Sequence, residues 1–329
     1  MAHAIDLRGV TKTFGAKVAV RELDLTVPEG ALYGLIGPNG AGKTTTIRMI
    51  MSILFPDSGA ISVLGQRSAL EAKQRIGYLP EERGLYKKMR VGSFLRYMAR
   101  LKGYSGPGLA ARVSEWLARL DLAGVEGMRC EGLSKGMQQK VQIIAALIHG
   151  PDLLILDEPF SGLDPVSTRL LRELIQQEHR RGATVIFSTH VMVQAEQLCD
   201  HIVMINDGRK VLDESLQGIR GKLDARSLVF EPLAPSADLG LVRTLPGVRQ
   251  VVQADGAYEI SLDEGTDVAR AMHQIVGAVP AARVEIKRPT LEDVFVEIVT
   301  GPRGASAVEA EELRASLRPD RPARAEAAP

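Results

Sequence analysis

Cysteine is scarce in this chain: Cys130 and Cys199 are the two in 329 residues. Two thiols cannot build a disulfide framework, and their positions have no metal-ligand spacing. A reducing, cytosolic setting is therefore expected. Net charge is also nearly absent. Lys and Arg number 41 against 40 Asp and Glu, leaving +1. That balance excludes a bulk binder of nucleic acid or of anionic membrane. Long apolar runs are missing as well. None approaches the ~20 residues of a membrane-spanning helix, and no signal-peptide pattern opens the sequence. A function at a membrane would need a partner to supply the spans. What remains is an ordinary soluble composition on a chain long enough for one large domain and a small one.

Against this background one stretch stands out, Gly37-Pro38-Asn39-Gly40-Ala41-Gly42-Lys43-Thr44, followed by Thr45. It fits the G-x-x-x-x-G-K-[ST] phosphate-binding pattern at every fixed position. Glycines let successive backbone N–H groups approach an anion closely, and the following helix adds its positive dipole end. Lys43 can set an ammonium on the outer phosphates, and the Thr44 hydroxyl can ligate Mg²⁺. The flanks agree. Ala31–Ile36 is a short apolar strand, and Ile47, Ile50, Met51 and Leu54 fall on one helical face before Pro56. Asp57-Ser58-Gly59 reads as a turn.

Ahead of the loop, Ile5, Leu7, Leu23, Leu25 and Val27 are candidate inward positions of antiparallel strands. Phe14, in the first turn, can stack on a purine, a contact worth about 1–3 kcal/mol. From position alone, a half-buried Phe beside a turn explains it equally. Beyond the loop, Ala60–Leu64 and Ile76–Leu79 read as strands, and Glu81-Glu82-Arg83-Gly84 as a polar loop. Two helices follow, with apolar faces Phe94, Leu95, Met98, Leu101 and Val113, Trp116, Leu117, Leu120, separated at Tyr104–Gly108. Ser134 can cap a further helix carrying Gly136 and the stripe Met137, Val141, Ile144, Ala145, Ile148. Taken alone this is either a second anion-binding helix end or a plain capped helix.

Asp152–Pro159 is an apolar run ending in Asp157 and Glu158, the pattern of a strand buried inside a parallel sheet. Ligands bind beyond the carboxyl ends of such strands. Asp157 can hold a Mg²⁺ shell there, and Glu158 can orient or deprotonate an attacking water. Ser161–Pro165 is a turn before an amphipathic helix. Thr184–Ser188 is a second buried strand with His190 at its end. A lone histidine is usually structural or exposed, but one at a strand's carboxyl end, like Asp157 and Glu158, is placed to contact a γ-phosphate. A helix over 193–200 and a strand over His201–Ile205, ending at the turn Asn206-Asp207-Gly208, complete this part.

In order and spacing, this set resembles the nucleotide-binding domain of ABC transporters over residues 3–220. The resemblance implies an α/β fold of the P-loop NTPase type, with a mixed β core, an antiparallel β subdomain and a helical subdomain. It makes Gly37–Thr45 the Walker A loop, Leu153–Glu158 the Walker B strand, Ser134 and Gly136 part of the signature, Ser161–Asp164 the D-loop and His190 the switch histidine. Phe14 matches the aromatic that stacks on adenine. ATP and Mg²⁺ are the implied ligands, with Thr44, Asp157 and Glu81 around the metal. Catalysis falls to Glu158 as general base, His190 on the γ-phosphate and Lys43. Two such domains are expected to pair head to tail, as a homodimer or with a paralogous ATPase, so that Ser134 and Gly136 act in trans. Three departures stand out. Lys135 and Met137 replace the third and fifth signature residues, Glu81 stands where a glutamine is expected, and Phe14 replaces the usual tyrosine.

A new pattern begins after Gly218–Leu223. Strand Ser227–Leu233, helix Leu239–Leu245, a hairpin of Val248–Gln253 and Tyr258–Leu262 around Asp255-Gly256, helix Val268–Val276 and strand Arg283–Lys287 give the β-α-β-β-α-β order of a small ferredoxin-like α+β domain. Thr290 caps a last helix. This part, including Arg288–Phe295, resembles the C-terminal extension of daunorubicin-resistance and sodium-efflux (Nat-like) export ATPases. It is expected to aid dimerisation or regulate coupling, or to act as a passive stabilising module. The expected organisation is 1–221, an ATPase domain; 222–301, an accessory domain; and 302–329, an Ala-, Pro-, Arg- and Glu-rich disordered tail. The function so implied is ATP hydrolysis on the cytoplasmic face of the membrane, powering export through a separate permease. A soluble ABC ATPase acting on ribosomes or DNA is the alternative, and an importer ATPase a third. No basic stripe or second ATPase domain supports the nucleic-acid reading, and no nucleic-acid partner is expected.

Overall fold

The computed structural model describes residues 2–82, 84–222, 227–234, 237–254, 256–287 and 290–300. The expected tail, Arg83, Asp255 of the hairpin turn and the Arg288-Pro289 pair lie outside the described residues. The chain divides into two compact units. One takes Met1–Leu216 and resumes at Phe295, and the other is Gln217–Val294.

In the first unit, β1 (His3–Phe14) and β2 (Lys17–Pro28) form a hairpin, followed by β3 (Leu32–Ile36), α1 (Lys43–Ile50), β4 (Ser58–Val63) and β5 (Ile76–Leu79). The helices α2 (Val91–Leu101), α3 (Leu109–Arg119) and α4 (Lys135–Leu147) come next. Then the chain alternates: β6 (Leu153–Asp157), α5 (Pro165–Arg180), β7 (Thr184–Thr189), α6 (Met192–Leu198), β8 (His201–Asn206) and β9 (Arg209–Ser215), before α7 (Leu216–Lys222). The main sheet has the order β5-β6-β7-β3-β8-β9. Its first five strands run parallel, and β9 returns antiparallel beside β8. Strands β3, β6 and β7 are buried at every residue, as strands covered on both faces must be. A second, antiparallel sheet has the order β2-β1-β4. Ile5, Leu7, Leu23, Leu25 and Val27 point into its core, as their alternation predicts.

The register of the parallel sheet sets the site. Ile36 pairs with Thr189, Asp157 with Ser188, and Leu79 with Leu156. The strands therefore end level, so Gly37, Glu158 and His190 leave the sheet side by side, with Glu81 two residues beyond β5.

Three local expectations change. Helix α1 ends at Ile50 rather than continuing to Leu54. Ser52 adopts φ +55°, Ser52 N–H donates to Met49 O and Ile53 N–H to Arg48 O. This is the paired closure of a left-handed helix stop, made by a serine where the sequence offers no glycine. Met51 and Leu54 still pack against the core. Ser58 and Gly59, expected in a turn, belong to β4, where the pairing with β1 slips between Arg8 and Thr11. Gly59 sits at that irregularity with φ +89°, and a Cβ there would meet Arg8 and Gly9 carbonyls at 2.5–2.6 Å. On α2, Phe94 and Leu95 are buried, but Leu101 is exposed.

In the second unit, β10 (Ser227–Pro232), α8 (Gly240–Arg243), β11 (Val248–Ala254), β12 (Ala257–Leu262), α9 (Val268–Ala278) and β13 (Ala281–Ile286) follow the predicted order. The four strands form an antiparallel sheet, β11-β12-β10-β13. That is the strand order of a split β-α-β sandwich. Its core is Leu228, Phe230, Ile260 and Leu262 from the sheet with Val242, Ala271 and Ile275 from the helices. The last helix, α10 (Leu291–Thr300), spans the division between the units.

Candidate functional site

A cavity of about 460 Å³ opens at the carboxyl ends of the parallel strands. Asn39, Gly40, Gly42, Lys43, Thr44 and Thr45 line it, with Phe14, Glu81 and Glu158. The loop holds its shape through two glycines that no other residue can replace. Gly37 has φ +151° and Gly42 φ +109°; a Cβ would meet Ile205 O at 2.1 Å and Ala19 O at 2.4 Å respectively. Nothing lies within 4 Å of where a Cβ on Gly40 would stand, leaving backbone open to the cavity. Ala41 N–H donates to Pro38 O (3.2 Å) and closes the turn.

Lys43 is buried. Its Nζ donates to Gly37 O (2.8 Å) and Pro38 O (3.1 Å) and lies 3.8 Å from Glu158 Oε1. An ammonium has three hydrogens, so the loop carbonyls aim the group and leave capacity for an anion. Burial pulls the Lys43 pKa down, while Glu158, Asp157 and Glu81 oppose that shift.

Asp157 ends β6 and is almost fully buried. Its Oδ1 accepts from the hydroxyls of Ser188 (2.5 Å) and Thr44 (3.1 Å), while its buried Oδ2 has no partner. Burial pushes its pKa up. A buried carboxylate oxygen without a donor, beside a threonine hydroxyl, fits a hard cation such as Mg²⁺. Glu158 follows with φ +46°, an uncommon value for a residue with a side chain. Its N–H donates to Ser188 Oγ (3.0 Å). Its Oε1 lies 3.0 Å from His190 Nδ1. With Glu158 ionised the carboxylate can only accept, which places a proton on Nδ1. Glu81 keeps much of its side chain in solvent, but partial desolvation at the cavity wall and the charges of Asp157 and Glu158 raise its pKa.

Phe14, at the end of β1, is about half exposed on the cavity wall, with Lys12 Nζ 5.6 Å from its ring centre. Ser134 caps α4, its hydroxyl accepting from Met137 N–H (3.3 Å). Ser134 is exposed, and nothing lies within 4 Å of a Cβ built on Gly136. Neither lines the cavity. The fold thus brings Phe14, the loop, Glu81, Asp157, Glu158 and His190 together and leaves Ser134 and Gly136 apart.

Sequence reasoning missed Ser188, which joins Asp157 to Glu158. The signal available was its place opposite Asp157 at the end of a second buried strand. It also missed Lys17 and Ala19, brought to the cavity by the return strand of the first hairpin.

Comparisons with known proteins agree with this geometry. A family profile described as ABC transporter matches residues 20–161. Another, the C-terminal domain of DrrA1-3-like ATP-binding proteins, matches residues 215–299. The chain is 40% identical over 292 residues to YhaQ of Bacillus subtilis (strain 168), an uncharacterized ABC transporter ATP-binding protein, covering 88% of this chain and 96% of the relative. It is 35% identical over 300 residues to Nod factor export ATP-binding protein I of Rhizobium sp. (strain N33), covering 90% and 96%. A solved structure of the ATP binding subunit of an ABC transporter superposes with a TM-score of 0.63 at 33% identity, over 67% of this chain and 92% of that one. Motifs, sheet register and relatives over almost the whole length lead to one assignment: the chain belongs to the ATP-binding subunits of ABC transporters.

Proposed function

We propose that this subunit hydrolyses ATP to drive a separate membrane permease in export, and that two ATPase subunits pair head to tail around the nucleotides. The observation that carries the reading is the Glu158 carboxylate held between Lys43 and His190 at the mouth of the phosphate loop. In this reading Phe14 stacks on adenine. The loop N–H groups from Gly37 to Thr45 and the Lys43 ammonium bind the phosphates. Thr44, Asp157 and Glu81 hold Mg²⁺, which when bound neutralises phosphate charge. Glu158 takes the proton of the attacking water, and His190 orients Glu158 and reaches the γ-phosphate. The positive φ of Glu158 turns its side chain out of the strand line that Asp157 follows inward.

Ser134, exposed, and Gly136, partly buried but with open space where a Cβ would stand, lie outside the cavity and suit a face that completes the site of a second subunit. A homodimer or a pair with a paralogous ATPase would satisfy this. The accessory domain has a DrrA-like match, and a relative of similar length is named for Nod factor export; both favour export. Among the described residues no helix is long and apolar enough to cross a membrane. The permease would supply the spans and hold the subunit at the cytoplasmic face.

The test is ATP turnover by Glu158→Gln. Loss of a general base costs about 10²–10⁴-fold, and we expect a fall in that range with nucleotide binding kept. Turnover equal to wild type would reject the assignment of Glu158.

A further inference from the structure

Glu81 is a carboxylate at a position where the family resemblance leads one to expect a neutral amide. The cavity wall carries Lys17 and Lys43 as cations and Glu81 and Glu158 as anions. Behind the wall stands Asp157, with a buried oxygen that no donor satisfies. The positive charge of Lys43 is already shared, since its ammonium bonds two loop carbonyls and lies near Glu158. A triphosphate entering this cavity meets three carboxylates rather than two. We propose that Glu81 makes nucleotide binding conditional on a divalent cation, so that the subunit takes metal-bound ATP and rejects the free triphosphate.

The inference rests on the proposed ATP site and deepens it. Without a divalent cation, Glu81 and the phosphates repel inside one cavity, at a separation shorter than the ~10 Å over which salt screens charge. With one, the same carboxylate becomes a ligand or near neighbour of the cation, and its sign turns from unfavourable to favourable. The effect is a coupling between two ligands, and such coupling is reciprocal. The factor by which the cation tightens ATP is the factor by which ATP tightens the cation. A glutamine at this position keeps an oxygen for the metal and removes the repulsion, so it should weaken the coupling chiefly by strengthening metal-free binding.

Calorimetric titration of the full-length protein with ATP, in excess EDTA and in Mg²⁺, reads the coupling as a ratio of two dissociation constants. Glu81 is exposed, and an unchanged melting temperature in Glu81→Gln verifies folding. We expect the wild-type ratio to exceed that of Glu81→Gln by about fivefold or more, the lower end of ordinary ligand–ligand coupling, with most of the change in the EDTA arm. The ratio of Mn²⁺ affinities measured with and without ATP should fall in the variant by the same factor. Equal ratios in the two proteins overturn the inference and leave the ATP site standing. No ATP binding by the wild type in either arm overturns both.

Discussion

Lys43 illustrates how single residues in this site are held before they act. Two carbonyls of its own loop fix the ammonium, so its charge is aimed without a side-chain search. A charged hydrogen bond contributes about 1.5–3 kcal/mol. Lys43→Ala should therefore weaken ATP by about 10- to 100-fold, measured by calorimetry with the Tm followed in parallel. Phe14→Ala should lose the base contact, about 1–3 kcal/mol, whereas Phe14→Tyr should bind as wild type. Equal affinity in all three proteins would remove Phe14 from the adenine pocket. These residues were legible in the sequence because each belongs to a spaced pattern. Ser188 was not. It is one small residue in an apolar strand, and only the pairing of β6 with β7 brings it to Asp157 and Glu158.

At the scale of elements, helix ends and strand pairs carry the local energetics. Asp164 caps α5, accepting from Val166 N–H and Ser167 N–H at 2.9 Å each. Asp164→Ala should lower stability by removing the cap, read as a lower midpoint in urea unfolding. The end of α5 next to the D-loop should fray first, seen by hydrogen exchange. The β8–β9 hairpin sets up a pH dependence. Burial alone would raise the Asp213 pKa, but hydrogen bonds from His201 (2.7 Å) and Lys210 (2.6 Å) outweigh it and hold the carboxyl below its usual range. A folded pKa below the unfolded one gives stability that is complete above the unfolded value, about 3.9. That stability is lost as pH falls through the folded value. Unfolding free energies of wild type and Asp213→Asn, followed from pH 6 to 3, should therefore converge on acidification. A constant gap across that range would contradict the assignment. Strand positions were legible because burial on both faces leaves continuous apolar runs. The stop of α1 was not, since Ser52 closes the helix in a conformation that glycine usually signals.

At the scale of the whole molecule, the described residues place a cavity at the phosphate loop, and the Ser134-capped end of α4 does not line it. The β-α-β-β-α-β order of the second unit was legible from alternation and turns, and its sheet order follows from the packing of two helices against one sheet. Where the first unit gives way to the second was less so. The division falls at Leu216/Gln217, inside α7, and again inside α10. Helices that cross a division leave no break in periodicity. We propose the second unit as an accessory module for pairing or coupling. Replacing residues 217–294, the second unit, by a short Gly/Ser linker should then lower ATP-dependent association while leaving ATP affinity intact, checked by light scattering and calorimetry on the same samples. In the proposed dimer the cavity is half of a site. This pairing is tested most directly by the mass of Glu158→Gln in solution at saturating MgATP. A head-to-tail dimer gives twice the monomer mass, returning to monomer when Gly136→Asp is added. A nucleotide-saturated Glu158→Gln protein that stays monomeric would contradict it.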